Sequence, residues 1–219
     1  VFGAQKVLVV ERFDRQWMDE RWIARLPQED FCQALAVPPD RKYESDGGPG
    51  IEDALRLLSG SASSNADREQ FLLVQLAFWL LAATDGHAKN FSVFLSTGDS
   101  YRLTPLYDVL SAWPVIGHGA NSLSPQKARL AMGLRASNMH YRLGEIRARH
   151  YRELADKSGV PTVWDKMQSL IENVPPSLEA VERRLASDFP RILWERVSNG
   201  MLSQVDVFKN DTLRVRDPE

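Results

Sequence analysis

Residues 71–83, FLLVQLAFWLLAA, form the feature that most constrains how this chain folds. A run this short, with Gln75 as its only polar member, cannot be a membrane-spanning helix, which needs about 20 residues. It predicts instead a helix buried on all sides, placed here over 67–83. Such a helix needs a domain around it. A chain of 219 residues with 43% hydrophobic content can supply one domain or two closely packed small ones. The run stops abruptly at TDGHAKN and is followed by strand-like FSVFLS, so a buried helix delivers Asp85 and Asn90, five positions apart, at its mouth.

Around this helix the sequence reads as a short β segment, a helical body and a central hairpin. Residues 6–13 (KVLVVERF) are rich in β-branched residues and predict a strand, and RWIARLP predicts a second. QEDFCQALAV reads as a short helix stopped by Pro38 and Pro39, and IEDALRLLSG as a helix ended by Gly60. NFSVFLS and YRLTPLYD flank the turn TGDS and predict a hairpin whose second strand ends at Asp108. Beyond Pro125 the chain is expected to be mostly helical, with separate helices in LGEIRARHYRELADKSG, PTVWDKMQSLIENV, PPSLEAVERRLASDFP and RILWERVSNGMLSQVDVF. The fold class expected is mainly α with a small β component.

Composition removes several functions. A net charge of −2 gives no global case for nucleic-acid binding. The single cysteine, Cys32, excludes an intrachain disulfide and a cysteine-rich zinc site, and fits a reducing cytoplasm. Neither HExxH nor GxSxG occurs, and the four histidines form no close metal-ligand pair. YESDGGPG lacks both phosphate-loop spacings and reads as a tight turn before a helix. The start has none of the ordered regions of a signal peptide, and it has no initiator Met, so a fragment of a longer chain is expected.

The chemistry gathers on Asp85, Asn90 and Asp108. Alone, D-x4-N is a common turn pattern. Here an apolar helix precedes it, a strand follows Asn90, and Asp108 closes the hairpin beyond. Phosphoryl transfer from ATP needs a carboxylate for the attacking hydroxyl and oxygen ligands for magnesium. Kinase catalytic loops supply the first acid and an Asn in this spacing, and a second Asp shortly after.

VERFDR, RLPQEDFCQAL, KYESDGGPG, ATDGHAKNFSV, YRLTPLYDVLSA and LAMGL occur in order and together resemble the HipA family of serine/threonine-kinase toxins from bacterial toxin–antitoxin modules. The similarity covers most of the chain from its start to Arg135. It implies a protein-kinase-like C-terminal lobe, with the end of the N-lobe and hinge strands over 1–27, the helical lobe over 28–208 and a tail over 209–219. It implies Asp85 as catalytic base and Asn90 and Asp108 as Mg2+ ligands. Glu11, Arg12 and Phe13 would form the hinge at the adenine of ATP, with Phe13 and Tyr107 near the base. His87, Ala88 and Lys89 would line the nucleotide side of the loop.

The family's N-terminal lobe, with its phosphate-binding loop and ATP-binding lysine, does not precede Val1, so this chain is expected to be a C-terminal part, inactive alone. The resemblance further implies a protein substrate of the translation machinery, such as an aminoacyl-tRNA synthetase, with growth arrest and persistence as the outcome. It implies a HipB-like helix-turn-helix antitoxin as partner, operator DNA reached through that repressor complex, a cytoplasmic setting and no membrane. Arg147, Arg149, Arg152 and Lys157 are candidates to lie near DNA, against the reading of a solvated helix face. Two other functions remain: a non-catalytic antitoxin-docking module, and a phosphoinositide-kinase-like enzyme. The second has a D-R-H-x-x-N loop, against which Gly86 replaces the arginine.

Overall fold

The computed structural model describes residues 3, 5 and 7–216. Its centre is helix α3 (Ser64–Leu81), in which Phe71, Leu72, Leu76 and Trp79 have no exposed surface. The apolar run has no polar face because helices enclose it. They are α2 (Ile51–Ser59), α5 (Val163–Glu182) and α6 (Arg191–Arg216), with α4 (Ala148–Lys157) packed on α5 and α6. Each fully buried large side chain stabilises by about 1.5–3 kcal/mol, so α3 is held by packing rather than propensity. The Phe31, Phe71, Phe78 and Phe91 rings pack on one another beneath its C-terminal half, with neighbouring centroids 4.9–6.0 Å apart. Two large polar-tipped rings that enter this core are paired: Trp79 Nε1 donates to the Leu143 carbonyl at 3.2 Å and Tyr151 Oη to that of Gln75 at 3.2 Å.

Among the described residues, three small antiparallel sheets lie around the helices. Strands β1 (Arg15–Met18) and β2 (Trp22–Arg25) form a hairpin, turned at Asp19 and Glu20 with φ of 47° and 55°. Strand β4 (Ser92–Leu95) is central between β3 (Gln28–Asp30) and β5 (Tyr101–Leu103). Strands β6 (Arg129–Arg135) and β7 (Met139–Arg142) pair with an irregular register. Between β3 and β4 in sequence, the one-turn helix α1 (Phe31–Ala34) starts on a reciprocal cap between Asp30 and Gln33, with both bonds at 3.0 Å. Helix makes up 44% of the chain and strand 15%, which is the mainly α class expected.

Several elements differ from expectation. Residues 7–12 form no strand, and Leu8, Val9 and Val10 are 69–87% exposed. Their β-branched character supplies no hydrogen-bonding partner, and a strand without one does not form; Lys6 lies outside the described residues. The second strand of the central hairpin stops at Leu103, because Thr104 makes the last rung to Ser92 at 2.9 Å and Pro105 has no N–H to continue. Asp108 therefore lies in irregular chain beyond the hairpin. The region after Pro125 includes β6 and β7; all five residues between Arg129 and Arg135 are buried, so β6 lacks the apolar–polar alternation by which a half-buried strand is read. Pro175 and Pro176 sit inside a single helix, α5, rather than dividing two; Ile171 and Val174, buried in the preceding turn, hold it against the core. Helix α6 runs to Arg216, so residues 209–216 of the expected tail are helical.

Asp67, in the first turn of α3, is buried and accepts hydrogen bonds from Ser61 Oγ at 2.6 Å and the Leu103 amide at 3.0 Å. It ties α3 to β5. Asp67→Ala leaves a buried donor unpaired and is expected to destabilise by about 1–3 kcal/mol, measured as a lower urea midpoint at unchanged m-value.

His150 is a second buried group with a measurable consequence. Its Nδ1 accepts the Arg147 amide at 3.2 Å and its ring stacks 3.9 Å from His140. Burial first, then the neighbouring His140, lowers its pKa to about 4. Because the unfolded group titrates near 6.5, its contribution is complete above that pH and lost as pH falls from about 6.5 to about 4. Stability should fall by about 1–2 kcal/mol over this window after allowance for solvent screening. His150→Asn, which keeps an acceptor, should flatten that part of the profile in denaturation curves taken from pH 7 to pH 4.

Candidate active site

The site begins where α3 ends. Ala82 turns the chain with φ of 50°, in the left-handed region. The last carbonyls of the helix need partners. Segment 111–113 supplies them. Ser111 Oγ donates to the Leu81 carbonyl at 2.7 Å, Trp113 Nε1 to that of Leu80 at 2.8 Å, and the Ala112 amide to that of Ala82 at 3.1 Å. The cap fixes the chain just after Asp108 to the helix end just before Asp85. Two carboxylates far apart in sequence are thereby brought to one place.

Between them the loop folds on the Asp85 carbonyl. That oxygen accepts the His87 amide at 2.9 Å and Asn90 Nδ2 at 2.8 Å, and Ala88–Asn90 forms a 3-10 turn. Asn90 is buried, and with its nitrogen committed to the backbone its Oδ1 is the atom left for a ligand. Gly86 is required by space, since a Cβ there would overlap the Phe78 ring. The Asp85 side chain is 56% exposed. Tyr43 Oη donates to Asp85 Oδ1 at 2.6 Å, and this bond, with burial, pushes the phenol up to about 12.

His87 Nε2 lies 3.8 Å from the same carboxylate oxygen. That is beyond hydrogen-bond distance. Its ring is buried, which with nearby Lys42 lowers its pKa, and its Nδ1 has no partner.

Asp108 itself has φ of 55°, a conformation that Asp tolerates better than most residues. It lines, with Asp85, Gly86, Phe78, Leu110 and Ser111, a cavity of about 210 Å³. No group of three or more His, Cys, Asp or Glu among the described residues could by itself hold a metal ion. One carboxylate plus an amide oxygen nevertheless fits magnesium, which takes few protein ligands and fills its sphere with phosphate and water. The donor set of Asn90 and Asp108 is hard oxygen, as that ion requires.

The other expected nucleotide residues fall into two groups. Phe13 packs at 5.8 Å on both Phe94 and Tyr107, so the two aromatics assigned to the adenine are neighbours. Tyr107 Oη donates to the Lys89 carbonyl at 2.8 Å and lies 2.6 Å from Ser92 Oγ, locking it to the Asp85–Asn90 loop. Glu11 is exposed. By contrast Arg12 is engaged by buried Asp14, whose carboxyl this bidentate contact lowers to about 2, against its burial. Lys89 Nζ is paired with Asp30 at 2.6 Å, and Ala88 is fully buried. Tyr43 is a site residue that sequence reasoning does not find: it lies in KYESDGGPG, and nothing local there shows what it touches.

The basic residues near α4 lie elsewhere. Arg147 donates to the Gly144 and Ile146 carbonyls at 2.8 Å. Arg149 pairs with Asp211 at 3.4 Å, Arg152 with Asp156 at 3.1 Å, and Lys157 with Glu153 at 2.6 Å. Arg152 also lies over the Trp164 ring at 5.3 Å. Their charge is largely answered within the chain.

Residues 1–181 match the model of the HipA-like C-terminal domain. The protein named "Putative kinase Y4mE" from Sinorhizobium fredii is 37% identical over 183 residues, 81% of this chain and 40% of that protein. The serine/threonine-protein kinase toxin HipA of Shewanella oneidensis is 34% identical over 122 residues, 50% of this chain and 28% of that protein. Among solved structures, the Shewanella oneidensis MR-1 complex of HipA, HipB and operator DNA matches with a TM-score of 0.78 at 21% identity. That match covers 95% of this chain and 50% of the solved one. The chain thus spans less than half the length of these two curated relatives, and its fold is that of the matched part of the solved chain. By the extent of the domain match, the chain belongs to the HipA-like C-terminal domain family.

Proposed function

We propose that this chain is the catalytic C-terminal lobe of a HipA-type serine/threonine-protein kinase, the toxin of a bacterial toxin–antitoxin module. One observation carries the reading. The Asn90 side chain knots the loop to the Asp85 carbonyl, and the cap on α3 sets Asp85 and Asp108 on one cavity. An exposed carboxylate, an amide oxygen and a second carboxylate are the groups phosphoryl transfer asks of a protein.

In the proposed reaction an acceptor hydroxyl attacks the γ-phosphorus of ATP. The new O–P bond forms as the bond to the bridging oxygen breaks and ADP leaves. Asp85 orients the hydroxyl and takes its proton. Asn90 Oδ1 and the Asp108 carboxylate would hold Mg2+, which when bound neutralises phosphate charge. Phe13 and Tyr107 offer an apolar seat for adenine beside the hinge at Glu11–Phe13. Buried His87, whose pKa is lowered by its burial and by Lys42, lies 3.8 Å from the Asp85 carboxylate.

The rest of the proposal concerns the longer protein. Exposed Leu8, Val9, Val10, Trp17 and Trp22 are the kind of apolar surface that an N-terminal lobe covers. The complex solved for the Shewanella relative supports a HipB-like antitoxin and operator DNA as partners. Should the α4 segment approach that DNA, its paired cations would contribute a non-specific, salt-dependent attraction. The substrate proposed is a protein of the translation machinery, in the cytoplasm, with growth arrest as the outcome. No helix among the described residues is long and apolar enough to cross a membrane.

Asp85→Asn in the full-length parent tests the reading. It keeps an acceptor for Tyr43 but removes the proton acceptor, and should lower transfer of labelled γ-phosphate into protein by about 10²–10⁴-fold. Melting temperature should not change. Transfer at the wild-type rate would refute the assignment.

A further inference from the structure

The loop from Lys42 to Gly50 has a role beyond turning the chain. From the geometry around Asp85 we infer that Tyr43 is a positioning residue. Its hydroxyl holds Oδ1 of the carboxylate so that Oδ2 faces the acceptor, and Glu44 fixes it there by tying the loop to β6. This inference rests on the assignment of Asp85 as the base.

Asp85 stands on an exposed turn, and a free carboxylate there would rotate about its side-chain bonds. Tyr43 Oη donates to Oδ1 at 2.6 Å, which occupies one oxygen and sets the plane of the group. A hydrogen bond to an ionised acceptor is about twice as strong as one between neutral groups. The phenol stays protonated because its pKa is pushed up to about 12. It can therefore donate throughout the physiological range and cannot itself compete for the acceptor's proton.

Tyr43 is in turn immobilised. Its ring meets His87 edge to face at 5.1 Å, and the Lys42 ammonium lies 5.0 Å from its centroid. The next residue, Glu44, reaches inward, and its Oε2 accepts the Gly133 amide in β6 at 2.6 Å. Gly50 gives this carboxylate room, since a Cβ there would overlap it. Burial raises the Glu44 pKa, and the Gly133 amide and Tyr141 partly offset that. A half-buried acid that fastens a surface loop to a strand gives up hydration that a mere turn would keep. The arrangement is reasonable for a loop whose neighbouring side chain must stay in register with a reacting atom, where errors of about 1 Å matter.

The experiment uses the full-length parent and ATP hydrolysis, in which water takes the place of the acceptor hydroxyl. Phosphate release gives kcat and KM for ATP. Tyr43→Phe keeps the ring against His87 and removes only the donor. It should lower kcat about tenfold, with KM for ATP and melting temperature unchanged. Glu44→Ala should reduce kcat similarly, and combining it with Tyr43→Phe should add little, because both act through one hydroxyl. A kcat of Tyr43→Phe equal to or above wild type overturns the inference, as does a loss expressed only in KM. Asp85→Asn, run alongside, separates the two claims. Inactive Asp85→Asn with fully active Tyr43→Phe removes only the positioning role, whereas active Asp85→Asn removes the base and this inference together.

Discussion

The hydrogen bond from Asn90 Nδ2 to the Asp85 carbonyl, 2.8 Å long, is the interaction on which the site depends. It closes a loop that would otherwise leave α3 in many directions. The apolar helix explains why the loop has a fixed base: Phe71, Leu72, Leu76 and Trp79 give α3 no freedom to move. Ser111 and Trp113 then use the unpaired carbonyls at its end to bring Asp108 alongside. Helix-end chemistry, a general requirement of any buried helix, has here become the means of aligning two acids.

The same arrangement extends to Tyr43 and Glu44. One residue points out to the carboxylate of Asp85 and the next points in to the backbone of β6. The loop is thus held from beneath while its upper side meets the chemistry. Surface charge elsewhere is balanced: the cations of α4 have carboxylate or carbonyl partners within the chain. Several large apolar residues between Val7 and Ile23 are exposed. They fit a covering lobe better than a solvated face.

How much of this is legible in the sequence depends on range. Helix α3, the hairpin around TGDS and the D-x4-N spacing are local patterns, and each lies close to where the sequence puts it. The run KVLVVERF misleads because β propensity records fitness for a sheet and says nothing of whether a partner strand exists. Strand β6 escapes because RLAMGLR is buried at five consecutive positions and so shows no apolar–polar alternation. KYESDGGPG reads as no more than a turn. Tyr43 is 42 residues from Asp85 and Glu44 is 89 from Gly133, so nothing near them in sequence could reveal either contact. The cap by Ser111 and Trp113 is unreadable for the same reason, though it decides where Asp108 goes.

The most direct test is a crystal structure of the full-length parent with Mg2+ and a non-hydrolysable ATP analogue. Asn90 Oδ1 and an Asp108 oxygen should each lie about 2.0–2.1 Å from one metal ion that also touches the phosphates. Asn90 Nδ2 should still be bonded to the Asp85 carbonyl. A metal held by other residues, or phosphates bound away from the Asp85–Asp108 cavity, would contradict the site described.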